Sequence, residues 1–164
     1  MKLQEILSLI KETNMPLKVG DKLPQFLAKD TNGNSFNSAE YAGKQSLVIY
    51  FYPKDETKVC TQQACSFRDS YQEFKDLGAE VIGISSDTIQ SHIRFKSKFN
   101  LPFILLSDND KKLRKLFGVE NDFLIIPGRQ TFVIDKNGFV IMVFNSMSGT
   151  IHIEKALKAL KQEK

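Results

Sequence analysis

Hydrophobic positions fall into short blocks whose period changes along the chain. Residues 47–52, LVIYFY, form an unbroken β-branched and aromatic run, the pattern of a strand buried on both faces, and Pro53 ends it. From residue 60 the spacing turns helical: Cys60, Ala64, Phe67, Tyr71 and Phe74 share one stripe, and Gly78 closes the helix. Residues 80–85, EVIGIS, predict a second buried strand. Helical spacing returns over 88–99, with Ile89, Ile93 and Phe99 inward, and residues 101–106, LPFILL, predict a short strand. A helix over 109–117 stops at Gly118. Residues 131–134 and 139–143 flank Asp135-Lys136-Asn137-Gly138, a hairpin signal. The last helix, 150–162, carries Ile151, Ile153, Leu157 and Leu160 as its apolar face.

Ahead of these elements, 19–38 reads as loop and short strands around a turn at 31–34. In the leader, residues 1–16, Leu3, Ile6, Leu7 and Ile10 recur at helical spacing, and Glu5 and Lys11 interrupt or closely bound the apolar stretch. A short amphipathic helix fits better than a signal peptide. Strands alternating with helices, then a hairpin, place the chain in the α/β class, with a central mixed β-sheet flanked by helices. At 164 residues it reads as one domain, without internal repeat or linker.

Composition adds exclusions. With 41% hydrophobic and 26% charged residues the chain is globular rather than disordered. Its net charge of +4 is spread over scattered lysines and polar helix faces such as Lys155, Lys158 and Lys161, so no nucleic-acid partner is expected. The apolar runs are far too short to cross a bilayer, so no membrane partner is expected. Two cysteines do not make a disulfide scaffold, and a reducing cytoplasm is the expected compartment. There, such a pair reads as catalytic or metal-binding.

Those cysteines are Cys60 and Cys65. Cys60 is expected to begin the helix after the first buried strand, where unpaired N–H groups and the helix dipole favour thiolate over thiol and can hold an anion beside the sulfur. Cys65 lies roughly 140° further round, on the polar face with Gln62, Arg68, Asp69 and Gln72. In a wound helix their Cα atoms stand about 8 to 9 Å apart, too far for a disulfide, so joining them requires the first turn and a half to unravel. Other readings of the same residues are a buried cysteine acting as a small hydrophobe beside an idle surface thiol, or a zinc site of Cys60, Cys65, His92 and His152.

The segment VIYFYPKDETKVCTQQACSFRD, residues 48–69, closely resembles the active-site segment of peroxiredoxins, in the bacterioferritin-comigratory-protein or PrxQ branch. The family spacing of proline, threonine and cysteine falls on Pro53, Thr57 and Cys60. Ordered matches continue through VGDKLPQFLAKDTNG, EVIGISSD with SHIRF behind it, LPFILLSD and RQTFVIDKNG, covering most of the chain from Val19 onward. The resemblance implies a thioredoxin-like fold and a thiol-dependent peroxidase that needs no cofactor or metal.

By the same resemblance Cys60 is the peroxidatic cysteine and Cys65 the resolving one, closing an intrachain disulfide that thioredoxin or a similar dithiol protein reduces. Thr57 would hydrogen-bond the hydroperoxide, Pro53 would cover the sulfur, and Arg129 would stabilise the thiolate and the charge developing in the transition state. Spacing alone reads Arg129 as a solvated loop charge. Branch members are often monomers. A different class, a thioredoxin-fold redox sensor with slow turnover, fits the same residues. Two departures stand out. Lys58-Val59 replaces the branch's usual Pro-Gly before the cysteine, so the local backbone is expected to differ. The apolar segment 119–128, VENDFLIIPG, would let Leu124, Ile125 and Ile126 line the rim and admit bulky organic hydroperoxides.

Overall fold

The computed structural model describes residues 2–6, 15–122 and 126–163. Among these the strands are β1 (Leu27–Asp30), β2 (Ser35–Asn37), β3 (Ser46–Phe51), β4 (Ala79–Ser85), β5 (Ile104–Ser107), β6 (Asn121–Asp122), β7 (Ile126–Pro127), β8 (Gln130–Ile134) and β9 (Val140–Asn145). The helices are α1 (Lys58–Asp69), α2 (Tyr71–Asp76), α3 (Ile89–Phe99), α4 (Lys112–Phe117) and α5 (Ile151–Gln162). Seven strands form one sheet in the order β2-β1-β5-β4-β3-β8-β9, with β6 and β7 paired separately. β3, β4 and β5 run parallel at the centre, and the remaining neighbours pair antiparallel. The expected mixed sheet flanked by helices is thus present.

The period-two geometry of β3 divides the core. Val48 and Tyr50, with Tyr52 just beyond the strand, face a cluster closed by Phe67, Phe74, Phe95 and Ile153, while Leu47, Ile49 and Phe51 face Phe26, Leu113, Phe117 and Phe132. Each fully buried ring or aliphatic chain contributes on the order of 2 kcal/mol. Gly83 makes room for one of them. A Cβ at that position would stand 2.9 Å from the Tyr50 phenol oxygen and 2.8 Å from a Leu105 methyl.

Several expected boundaries and faces are corrected. The single helix predicted from residue 60 to Gly78 is two, because Ser70 leaves helical geometry (φ −100°, ψ 5°) and restarts the chain as α2. On α3 the inward residues are His92 and Phe95, whereas Ile93 is 45% exposed. Ile151 on α5 is also exposed, and Ala156 with His152 takes the inward positions beside Ile153 and Leu160. The fourth helix starts at Lys112, because Asp108 accepts hydrogen bonds from the amides of Leu113 and Arg114 and sets its first turn. In the leader, residues 3–6 are helical with Leu3 and Ile6 exposed, and Leu7 and Ile10 lie outside the described residues.

Candidate active site

The strand register creates the site. β3 and β8 pair through Phe51 opposite Gln130, so Arg129 leaves the sheet beside the point where Tyr52 and Pro53 leave it. From Pro53 the chain crosses a short loop into α1. Glu56 takes a left-handed conformation (φ 60°) that a non-glycine residue adopts at some cost, and its carboxylate meets Lys98 Nζ at 3.1 Å. Thr57 is extended (φ −76°, ψ 156°) and occupies the N-cap, but its hydroxyl donates to the Lys54 carbonyl at 2.9 Å rather than capping the helix. α1 therefore begins at Lys58, and Cys60 is its third residue, not its first. Val59 is an ordinary helical residue with negative φ, so replacing Pro-Gly by Lys58-Val59 leaves no strained backbone.

Cys60 is 1% exposed and Arg129 2%. The Arg129 guanidinium donates from Nη2 to Cys60 Sγ at 3.1 Å and from Nη1 to the Gln63 side-chain oxygen. Gln63 lies one helical turn beyond Cys60 on the same face, fully buried. This glutamine fixes the arginine fork and escaped the sequence reading. Its signal was a polar residue three positions on, between Cys60 and the apolar positions Ala64 and Phe67. A buried cation touching sulfur near the positive end of a helix is placed to receive negative charge developing there.

The Pro53 loop is braced from below. One oxygen of Asp55 accepts from Tyr52 Oη at 2.6 Å, and the other accepts from Ser91 Oγ at 2.9 Å and meets His92 Nδ1 at 2.7 Å. The amide of Asp55 donates to Asp87 at 2.8 Å. His92 Nε2 faces the Leu106 carbonyl at 3.0 Å, and a carbonyl only accepts, so that nitrogen carries a proton. Burial, then the charge of Asp55, raise the Tyr52 phenol well above its ordinary range and keep it a donor.

A second loop closes the other side. Ser146 N donates to the Arg129 carbonyl at 3.3 Å, and the Ser146 carbonyl faces His152 Nε2 at 2.7 Å. His152 Nδ1 meets Thr131 Oγ1 at 2.7 Å, and burial lowers this histidine to about 4, so the ring is neutral and accepts the hydroxyl proton there. The loop then packs on α1 at Gly149, where a Cβ would lie 2.8 Å from Gln63 Cβ and 3.0 Å from the Val59 carbonyl.

Of the five residues singled out from sequence, Cys60 and Arg129 are in direct contact. Thr57 and Pro53 sit in the loop that leads into α1, exposed and half-buried respectively. Cys65 is free and half-buried, in the same wound helix as the free, buried Cys60. The zinc grouping is not assembled. His92 is engaged by Asp55 and Leu106, and His152 by Thr131 and Ser146. Ile126 is exposed on β7, and Leu124 and Ile125 lie outside the described residues.

A family model described as the AhpC/TSA family matches residues 19–143. The chain belongs to this family. It is 49% identical over 147 residues to the chloroplastic peroxiredoxin Q of Sedum lineare, covering 88% of this chain and 78% of that one. The crystal structure of peroxidoxin BcpB from Mycobacterium tuberculosis is 33% identical, with a TM-score of 0.83 over 90% of this chain and 99% of that one. The bacterioferritin comigratory protein of Xanthomonas campestris, whose structure was studied for alkyl peroxide reduction, is 30% identical, with a TM-score of 0.78 over 87% and 99%. The fold is thioredoxin-like, and the chain is a peroxiredoxin, a thiol-dependent peroxidase.

Proposed function

We propose that this peroxiredoxin runs a two-cysteine cycle, with Cys60 as the peroxidatic sulfur and Cys65 as the resolving one. The observation that carries it is the contact of 3.1 Å between the Arg129 guanidinium and Cys60 Sγ, buried in the first turns of α1. The Cys60 thiolate attacks the terminal oxygen of a hydroperoxide, the O–O bond breaks, and the departing oxygen leaves as water or an alcohol after taking up a proton. Cys60 becomes a sulfenic acid. Arg129 offsets the charge that develops on the oxygens. The Thr57 hydroxyl, whose own proton is committed to the Lys54 carbonyl, offers its lone pairs to the peroxide O–H. Pro53 limits water at the sulfur.

The Cys65 thiolate then attacks the sulfenic sulfur, an S–S bond forms as the S–O bond breaks, and the hydroxide takes up a proton and leaves as water. Both cysteines belong to a wound helix, so this step follows unwinding of the first turns of α1. A dithiol protein, thioredoxin or one like it, reduces the disulfide by exchange. A monomer in a reducing cytoplasm completes the reading; light scattering and cell fractionation check these two points, and a stable dimer or an organelle-bound chain would correct them.

Stopped-flow titration with hydroperoxide, followed by peptide mapping, tests the cycle. One equivalent is expected to join Cys60 to Cys65 in the wild type. Cys60→Ser should consume no peroxide, and Cys65→Ser should stop at the sulfenate. Both thiols free after peroxide would refute the cycle, and slow turnover in the presence of thioredoxin and its reductase would mark a sensor instead.

A further inference from the structure

We propose that Arg114 is a positioning residue for the peroxidase reaction: its buried fork holds the carbonyl preceding Pro53 and the carbonyl preceding Arg129, and so fixes the two sides of the Cys60 site against each other. The inference rests on Cys60 being the sulfur that meets peroxide. Arg114 Nη2 donates to the Tyr52 carbonyl at 2.8 Å and Nη1 to the Gly128 carbonyl at 3.0 Å. Both acceptors lie just beyond the last rung of the β3–β8 ladder, Phe51 opposite Gln130. Where the strands stop bonding to each other, one planar guanidinium bonds to both.

The fork is itself held. Asp108 accepts the amide of Arg114 at 3.0 Å, Val119 N donates to the Arg114 carbonyl at 2.9 Å, and the guanidinium lies 5.8 Å from the centre of the Phe51 ring. At the Gly128 end the backbone runs close against Glu120, where an added Cβ would lie 2.1 Å from the Glu120 carbonyl oxygen. Movement at Gly128 or at Tyr52 therefore passes directly to Arg129 or to Pro53. A small misplacement of groups that must meet the O–O bond and the sulfur together costs rate steeply.

The charge on this fork has a second consequence. Arg114 is buried and bonds side-chain to neutral carbonyls, an unfavourable state for a cation unless anions lie near. Burial lowers its affinity for the proton, while Asp108 and then Cys60 oppose that effect. Arg114 thus adds a positive charge that acts across the fold on Cys60. A neutral polar side chain at 114 could hold two carbonyls only if it presented two donors at this spacing, and lysine carries its charge without the planar fork.

Arg114→Lys and Arg114→Met, each in a Cys65→Ser background, separate these effects. Two rates at Cys60 are measured on folded protein well below its thermal transition: oxidation by hydrogen peroxide and alkylation by iodoacetamide. Alkylation needs the thiolate but not the alignment of an O–O bond. In Arg114→Lys, peroxide oxidation is expected to fall about ten- to a hundredfold while alkylation changes less than about threefold. In Arg114→Met both should fall, and added methylguanidine should restore part of the peroxide rate. Wild-type peroxide rates in folded Arg114→Lys, with only a lower melting temperature, would overturn the proposal and leave a structural clasp. Equal losses of both rates in Arg114→Lys would also overturn it. If the Cys65→Ser parent itself forms no sulfenate at Cys60, it is the catalytic reading that fails.

Discussion

Around Cys60, each buried polar atom with a partner fixes the next. Arg129 reaches the sulfur because Gln63 takes the other arm of its fork, and Gln63 is placed by the helix that carries Cys60. Replacing Arg129 by Met is expected to lower kcat/KM for hydroperoxide about a hundred- to a thousandfold, the size of effect seen when a preorganised donor to a developing charge is removed. Steady-state assays at saturating reductant check this, and a loss under threefold would remove Arg129 from the chemistry. Legibility at this scale was uneven. Cys60 announced itself by standing after a buried strand and before a helical stripe. Arg129 did not, since a loop arginine is ordinarily solvated, and only the family resemblance raised it. Gln63 was within reach of the sequence reading, because it shares the face of Cys60. Arg114 was not, because nothing in KKLRKLF distinguishes a buried arginine from its solvated neighbours.

At the scale of elements, the first turns of α1 do two jobs. In the proposed cycle they hold Cys60 against Arg129 while wound and come apart before Cys65 reaches it. The loop that carries Gly149 rests on those turns, pinned by Ser146 to the Arg129 carbonyl and to His152. Gly149→Ala places a methyl group against Gln63 and the Val59 carbonyl, and something must shift. Stability is expected to fall by about 1 to 3 kcal/mol, with disulfide formation after peroxide becoming faster as the wound state loses ground. Denaturant melts and stopped-flow fluorescence measure the two quantities, and an unchanged rate of disulfide closure would show that the loop does not hold the helix. Periodicity located the helical regions but merged α1 and α2 into one helix and misassigned faces. It counted Ile93 as inward because it is apolar. The fold instead buries His92, whose two ring nitrogens both find partners. Pattern cannot anticipate such pairing, since Asp55 is far away in sequence.

Across the whole molecule, the mixed sheet was legible because β3, β4 and β5 are buried on both faces and read as continuous apolar runs. Among the antiparallel additions the β8–β9 hairpin was signalled by its turn, whereas β1 and β2 are short and half-exposed, and β1 joins the sheet through β5, a partner distant in sequence. The buried polar groups also tie stability to pH. Burial lowers His152 from an ordinary 6.5 to about 4, so between those values the unfolded chain binds a proton that the folded one does not. Its contribution is complete above 6.5 and is lost as pH falls toward 4, on the order of 3 kcal/mol across the window. Urea midpoints for the wild type should fall over that range, and His152→Gln should flatten this part of the profile. Parallel profiles would place the acid sensitivity elsewhere.

The claim beneath the whole scheme is that Cys60 and Cys65 join only when α1 gives up its first turns. Amide hydrogen exchange on the reduced protein and on the product of one equivalent of peroxide measures this directly. Reduced protein is expected to protect the amides of residues 61–69, while the oxidised form should lose protection over 61–65 and keep it in β3 and β4. A Cys60–Cys65 disulfide with protection over 61–65 still intact would contradict the account.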